Sequence, residues 1–253
     1  MKQFILIVLL CWFSCRMVDA QGPDRRPRRA LPEVEVPGTP AYEGLNAFEV
    51  ADSLLAPNVL LFCGQHVNLD PMDRQRKLRR ELASLSRFSS VLMERADIFF
   101  PLVEPILEEH KVPDDFKYLM VIESGMNPEA RSPAGALGLW QFMKGTALDY
   151  GLQVDRKRDE RLDAEKSTHA ACRYLLDAYS KFNDWVAVAQ SYNIGQNRIR
   201  SELKRQRVDE AIDLQLVEET NRYIYRLMAI KIIFTHPDNF GLKEIRYKKL
   251  RRR

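Results

Sequence analysis

The segment PDDFKYLMVIESGMNPEARSPAGALGLWQFM, residues 113–143, predicts a short helix, a turn-rich loop and then a second apolar segment. Asp114 is a favourable N-cap, and Gly125 is a favourable residue for ending the helix. Pro128, Gly135 and Gly138 punctuate the loop and predict an irregular path. Glycine also lets a backbone approach a ligand closely, so this loop is a candidate for binding.

One acidic residue lies on the apolar face of the predicted helix. Phe116, Leu119 and Met120 share that face at helical spacing, and Glu123 is the next member of the series. Burial disfavours the charged form of a carboxyl group and raises its pKa, as a general acid near neutral pH requires. The alternative is that Glu123 lies at a frayed helix end and faces water, and spacing alone does not separate the two.

The N-terminus has the pattern of an export signal. An apolar stretch from Phe4 to Phe13 is followed by Val18-Asp19-Ala20, which supplies small residues before a cleavage position. Residues 1–20 are therefore predicted to be a signal peptide, which places the protein in the periplasm or cell envelope, with membrane association as a further option. Lipid attachment at Cys15 is the competing interpretation, although the aromatic residues before it fit such a site poorly.

The remaining sequence divides by composition. Residues 21–45 are rich in proline, glycine and arginine and predict a flexible leader; residues 46–100 predict an N-terminal helical extension, 101–240 the main domain and 241–253 a basic tail. About 200 residues follow the leader, enough for one domain with a core.

The formal net charge of +4 gives no argument for binding of nucleic acid. The tail is either a solvated end or a contact for an anionic polymer or membrane surface.

The cysteines and histidines limit the chemistry. Export would leave Cys63 and Cys172, which either pair or remain two buried thiols. His169 and Cys172 are spaced i, i+3, but two ligands do not make a zinc site, and the other histidines have no partner at ligand spacing. The sequence therefore predicts no metal and no other cofactor. It also contains no Gly-x-Ser-x-Gly elbow and no phosphate-binding glycine loop.

Helical periodicity dominates the rest of the chain, with no alternating strand pattern and a run of uncertain type at 59–62. Asp163 and Asp184 are predicted N-caps. The predicted fold class is all-α. The predicted helices cover residues 72–97, 99–110, 114–124, 146–150, 164–179, 185–192, 196–206 and 219–234.

Aromatic and amide side chains recur around this segment and near the ends of later helices. Aromatic faces combined with amide and hydroxyl groups are suited to holding sugar rings. Each aromatic residue alone is better explained as core, but the set around one acid indicates a saccharide cleft. Its members are Trp140, Gln141, Tyr150, Tyr192, Asn193 and Tyr223.

Four motifs in order resemble the soluble lytic transglycosylase (SLT) family. They are Glu123-Ser124, SPAGALGLWQFM at 132–143, SYNIG at 191–195 and ETNRY at 219–223. The Trp-Gln-Phe-Met sequence is most similar to the D-type membrane-bound lytic murein transglycosylases. The resemblance covers roughly residues 100–235 and implies a lysozyme-like helical fold, with the catalytic SLT domain at 101–240.

The resemblance also implies roles for single residues. Glu123 matches the catalytic acid and base, and Ser132 matches the serine that helps to position the acid and the substrate. Tyr223 matches a tyrosine that steadies the reacting sugar. The substrate-binding residues that the motifs imply are Ser124, Ser132, Gln141, Tyr192, Asn193 and Tyr223.

The implied reaction is non-hydrolytic cleavage of the β-1,4 bond between N-acetylmuramic acid and N-acetylglucosamine in peptidoglycan, leaving 1,6-anhydromuramic ends. The expected partners are peptidoglycan glycan strands, with loose association with a membrane surface or cell-wall machinery as an option, while oligomeric state is not predicted. Two alternatives remain open: a goose-type lysozyme-like hydrolase, and a non-catalytic glycan-binding protein.

Overall fold

The computed structural model describes residues 58–242 and begins with a small β-hairpin. Strands β1 (Val59–Phe62) and β2 (Gln65–Asn68) are antiparallel, with Val59 opposite Asn68. Cys63 and Gly64 form the turn at positive φ, which is typical of two-residue hairpin turns. The run at 59–62, whose type the sequence left open, is therefore a strand, although the sequence shows no alternating strand pattern. Four consecutive apolar residues conceal the alternation, and a Cys-Gly turn is a weak hairpin signal.

Eight α-helices follow the hairpin in the described part of the chain. Several are joined by short 3₁₀ turns. The helices are α1 (Met72–Leu85), α2 (Ser89–Glu109), α3 (Lys117–Ser124), α4 (Lys144–Asp149), α5 (Ala164–Phe182), α6 (Trp185–Ile194), α7 (Gln196–Gln206) and α8 (Glu218–Thr235).

Local sequence signals located the later helices well. The carboxylate of Asp163 accepts a hydrogen bond from the Lys166 amide, and that of Asp184 accepts from the Val186 amide, so both predicted N-caps are confirmed. The predicted bounds of α7 are also confirmed, while α5 and α6 each extend a few residues further than predicted.

Two predicted helices near the N-terminus were wrong. The helix predicted over 72–97 is interrupted by a 3₁₀ turn at Ser86–Phe88, and the helix predicted over 99–110 is the second half of the continuous helix α2. Pro101 and Pro105 lie inside α2, where each removes one backbone hydrogen bond. Packing of buried side chains on both sides of these prolines keeps the helix continuous, and that tertiary effect is invisible to local patterns.

Helix α8 runs through the centre of the core. Ile224, Leu227, Met228 and Ile230 on this helix are fully buried. It packs against α1, α3 and α6, while α2 packs against α5. A central helix that contacts α3 can bring a side chain from near the C-terminal end of the described chain to the end of α3.

Cys63 and Cys172 are free and buried, which confirms the interpretation as two unpaired thiols. Between residues 58 and 242, the helices are all too short or too polar to cross a membrane. The predicted signal peptide, the leader, Cys15 and most of the basic tail lie outside the described residues.

Candidate active site

Helix α3 holds the candidate acid at its C-terminal end. Phe116, Leu119 and Met120 are fully buried, as their spacing predicted, and Gly125 ends the helix with φ of 58°. The predicted N-cap was wrong, because a 3₁₀ turn at Asp114–Phe116 precedes α3. The Asp114 carboxylate instead accepts a hydrogen bond from Lys117 Nζ at 2.6 Å.

The Glu123 carboxyl is partly buried and is held by one hydrogen bond. Tyr223 Oη on α8 donates to Glu123 Oε1 at 2.5 Å, across 100 residues of sequence. Burial raises the pKa of Glu123 to about 7, while the Tyr223 hydrogen bond and the charge of Arg226 oppose that rise. Among the described residues, Glu123 Oε2 has no hydrogen-bond partner, so this oxygen is available to carry and transfer a proton.

Hydrogen bonds from Ser124 and Trp140 connect the loop after α3 to the helices. Ser124 Oγ lies within hydrogen-bond distance of the carbonyl oxygens of Met120 (3.0 Å) and Leu139 (2.8 Å). Trp140 is fully buried, and its Nε1 donates to Thr168 Oγ1 at 2.9 Å. The Ser124 hydroxyl therefore connects the end of α3 to the loop, which is a structural use of a residue predicted to bind substrate.

The side chain of Arg161 fixes the same loop from the opposite side. Its Nη1 donates to the carbonyl oxygens of Gly135 (3.0 Å) and Phe142 (3.1 Å). The Asp159 carboxylate pairs with Nε and Nη2 of the same guanidinium. Because the guanidinium is planar and its donors are all directed, this arrangement fixes the path of the loop on both sides of Gly138.

The side-chain amide of Gln141 supports the loop through its hydrogens, and its oxygen is a hydrogen-bond acceptor without a partner among the described residues. Its Nε2 donates to the carbonyl oxygens of Ala130 (3.0 Å) and Gly138 (2.8 Å), which uses both amide hydrogens. Its backbone has φ of 49°, which is costly for a residue other than glycine and is typical of a functional position. Gln141 Oε1 has no partner among the described residues and can accept a hydrogen bond from a bound ligand.

Ser132 is buried within the loop. Its Oγ accepts a hydrogen bond from the Ala136 amide at 3.0 Å and so stabilises a tight turn. Within the described residues it makes no hydrogen bond to Glu123. The role of Ser132 in positioning acid and substrate therefore remains a prediction from the resemblance.

Tyr192 and Asn193 lie at the end of α6, facing the loop. Tyr192 Oη donates to the carbonyl oxygen of Trp140 at 2.9 Å. Asn193 Oδ1 accepts from Thr220 Oγ1 at 2.9 Å, which leaves Asn193 Nδ2 without a partner in the described structure. The fold thus brings the predicted residues of three separate segments together around the loop and the acid.

A cleft of about 980 Å³ opens beside Gln141, Tyr192 and Asn193. Its wall includes Tyr150, whose Oη donates to Asp177 Oδ2 at 2.6 Å. Aromatic, amide and charged side chains around a cleft of this size suit a polar, chain-like ligand such as a saccharide.

Sequence reasoning missed Arg226. It lies one turn after Tyr223 on α8, and its charge lowers the pKa of Glu123. Arg226 makes no hydrogen bond or ion pair with another described residue. Helical spacing from Tyr223 could have identified it, since residues three positions apart share a helix face.

The structure also brings together a group of candidate metal ligands that sequence spacing did not reveal. Glu109, His110 and His169 have ligand atoms that all lie within 4.8 Å of one another. None of these residues lines the cleft described above.

Comparison with known proteins confirms the family resemblance. Residues 105–214 match the family model described as "Transglycosylase SLT domain". The matched range includes Glu123, Ser132, Gln141, Tyr192 and Asn193, whereas Tyr223 lies just beyond it.

Two relatives are lytic murein transglycosylases. Membrane-bound lytic murein transglycosylase D of Escherichia coli K12 is 26% identical over 176 residues, which are 68% of this chain and 39% of that protein. Soluble lytic murein transglycosylase of Salmonella typhimurium LT2 is 30% identical over 131 residues, which are 47% of this chain and 20% of that protein. The chain therefore spans less than half the length of either relative.

The structure of a 70-kDa soluble lytic transglycosylase in complex with bulgecin A has a similar fold. The TM-score is 0.51 at 21% identity, covering 68% of this chain and 30% of that one. This similarity confirms the predicted all-α, lysozyme-like fold.

Proposed function

We propose that this chain is a peptidoglycan lytic transglycosylase that cleaves the β-1,4 bond between N-acetylmuramic acid and N-acetylglucosamine and leaves 1,6-anhydromuramic ends. The observation that carries the proposal is Glu123, a carboxyl group with a pKa raised by burial to about 7 and with one oxygen that has no hydrogen-bond partner among the described residues. The names of the relatives support the same activity.

In the proposed mechanism, one carboxyl group transfers a proton twice. Protonated Glu123 gives its proton to the glycosidic oxygen as the bond to the muramic anomeric carbon breaks. The acetamido group of the same sugar stabilises the positive charge on that carbon. Ionised Glu123 then removes the proton from the 6-hydroxyl, whose oxygen attacks the anomeric carbon and closes the anhydro ring. A tethered nucleophile has a large entropic advantage over water.

The contacts around Glu123 fit this sequence of steps. A pKa near 7 leaves a substantial fraction of Glu123 protonated for the first step and makes the ionised form basic enough for the second. The Tyr223 hydrogen bond fixes Oε1, so the proton leaves from and returns to Oε2. Gln141 Oε1 and Asn193 Nδ2 supply one acceptor and one donor for the sugar amides and hydroxyls.

A hydrolytic alternative has one supporting observation. Glu219 lies on α8 one turn before Tyr223, and its negative charge contributes to the raised pKa of Glu123. A second carboxyl group could activate a water molecule, as in glycosidases that use two carboxylates. Digestion of purified sacculi followed by mass spectrometry separates the candidates. Anhydro ends support the proposal, reducing ends support the hydrolase, and binding without cleavage supports a glycan-binding protein.

Tyr223→Phe is expected to move the alkaline limb of the pH profile to higher pH. The hydrogen bond from Tyr223 favours the charged form of Glu123, so its removal raises the pKa of the acid further. We also expect kcat/KM to fall about tenfold, because the carboxyl group is no longer held in place. The measurement is the pH dependence of the rate of anhydromuropeptide release.

Tyr179→Phe is the matched control for this experiment. Tyr179 stacks on Trp185 and has no hydrogen bond from its hydroxyl within the described structure. Its replacement is expected to leave the pH profile unchanged. A Tyr223→Phe profile that overlays the profile of the unmodified protein would refute the assigned contact.

Export and the division of the chain remain part of the proposal. We propose that residues 1–20 direct the protein to the periplasm or cell envelope and that residues 101–240 form the catalytic domain. N-terminal sequencing of protein recovered from the envelope fraction is expected to begin at Gln21, after cleavage behind Ala20. Recovery of a palmitate-labelled chain that begins at Cys15 would favour the lipoprotein interpretation instead.

A further inference from the structure

Two histidines that are 59 residues apart in sequence meet at the surface between α2 and α5. His110, which follows the last residue of α2, places its Nε2 2.8 Å from Nδ1 of His169 on α5. The ring centroids are 5.1 Å apart, and the ring planes are inclined by 64°. Only one proton can occupy the short space between these two nitrogens, so the pair is held by a single shared hydrogen.

A carboxylate completes the group. Glu109 is exposed and has no hydrogen bond or ion pair from its side chain within the described structure, while one of its carboxylate oxygens lies within 4.8 Å of a ring nitrogen of each histidine. Two imidazoles and one carboxylate form a donor set typical of zinc sites that keep an open position.

The neighbouring groups leave these ligands available. Arg173 lies one turn after His169. Its Nε and Nη2 donate to the Tyr150 carbonyl oxygen at 2.9 and 2.6 Å, so its guanidinium is already engaged in hydrogen bonds away from the two histidines. Cys172 is fully buried with its Sγ directed at the Ile106 carbonyl oxygen, so it is not a ligand.

The spacing of the two nitrogens requires a small movement. Ligands on a tetrahedral zinc with bonds of about 2.0 Å lie roughly 3.3 Å apart, compared with 2.8 Å for the hydrogen-bonded pair. Both rings are partly exposed, and their other nitrogens have no hydrogen-bond partner among the described residues. Separating the two nitrogens by about half an ångström and turning the rings so that both lone pairs face one ion replaces the shared hydrogen bond and breaks no other hydrogen bond of the two rings among the described residues.

We propose that Glu109, His110 and His169 form a binding site for one divalent metal ion of intermediate softness, Zn²⁺ being the ion of choice, with water in the fourth position. Bound Zn²⁺ would link the C-terminal end of α2 to α5 and stabilise the folded chain, since the unfolded chain holds these ligands far apart. Such a site is separate from the proposed peptidoglycan chemistry and does not depend on it.

Calorimetric titration of the full, untagged, metal-free chain with Zn²⁺ tests this site. We expect one Zn²⁺ per chain and a Tm that rises by several degrees with saturating Zn²⁺. His110→Gln and His169→Gln are each expected to weaken binding by at least about tenfold and to abolish the Tm shift, and Glu109→Gln is expected to weaken binding less. Two separate histidine variants guard against misfolding of either one, and circular dichroism checks each fold.

Matched controls distinguish this site from adventitious binding. His66→Gln removes an exposed histidine on the hairpin, and Cys172→Ser removes the nearby thiol; both are expected to retain wild-type affinity. Absence of Zn²⁺ binding by the unmodified chain would overturn the proposal. It would equally fail if the His110→Gln and His169→Gln chains bound Zn²⁺ as tightly as the unmodified chain.

Discussion

Replacing Glu123 with glutamine is expected to lower the rate of peptidoglycan cleavage by about a thousandfold, because a positioned acid or base contributes a factor of this order and Glu123 serves as both in the proposed mechanism. Glutamine keeps the size of the side chain and can still accept the hydrogen bond from Tyr223, so the cleft should keep its shape. The measurement is the release of anhydromuropeptides from purified sacculi, compared with the control Glu165→Gln, which changes an exposed carboxylate at the start of α5.

The same substitution gives an independent readout in stability. The pKa of Glu123 is about 7 in the folded chain and near 4.5 when unfolded, so the folded state holds the proton more tightly. Its contribution to stability is fully present below about pH 4.5 and is lost as the pH rises through 7. We therefore expect Glu123→Gln to be more stable than the unmodified chain at pH 8, with the difference shrinking towards pH 4.

In the cleavage assay, a Glu123→Gln variant that keeps a tenth or more of the rate of the unmodified chain would overturn the proposed role of Glu123.

Gly138→Ala is expected to reduce the free energy of unfolding by about 3 kcal/mol or more. Gly138 has φ of 84°, and an added Cβ would lie 1.9 Å from the Arg161 carbonyl oxygen. A backbone atom cannot move aside as a flexible side chain can, and Arg161 is also fixed through Asp159, Gly135 and Phe142. Relief of the clash would displace the loop that positions Gln141, so activity should fall together with stability.

Gly135→Ala is the control that separates backbone strain from the steric clash with Arg161. Gly135 has a similar φ of 90°, but an added Cβ there would meet nothing within 4 Å. We expect a cost of about 1 kcal/mol from backbone strain alone. Urea denaturation of both variants measures the difference. Equal losses of stability would show that the contact between Gly138 and Arg161 is not the limiting feature.

The sequence could predict those parts of the fold that depend on neighbouring residues. Glu123 on an apolar face, the Gly125 stop, the caps Asp163 and Asp184 and the bounds of α7 all follow from local spacing and capping chemistry. The hairpin and the continuity of α2 through two prolines could not be predicted in this way, because distant packing partners stabilise them.

The candidate site shows the same division. The motif residues were identifiable, but their use was not: the Ser124 hydroxyl ties the loop to α3, and both amide hydrogens of Gln141 support the backbone. The hydrogen bond from Tyr223 to Glu123 and the pairing of His110 with His169 join segments far apart in sequence. No periodicity within one segment encodes such contacts.

The path of α8 through the core has a consequence for protein synthesis. A nascent chain that has emerged only as far as residue 217 already contains Glu123, the loop and the cleft residues of α6, but it lacks Tyr223 and the helix against which α3 packs. Its carboxyl group is then neither buried nor held, and burial is the main cause of the raised pKa. The environment on which the proposed role of Glu123 depends therefore forms only when translation has passed α8, so we expect a chain that stops at residue 217 to lack the proposed activity.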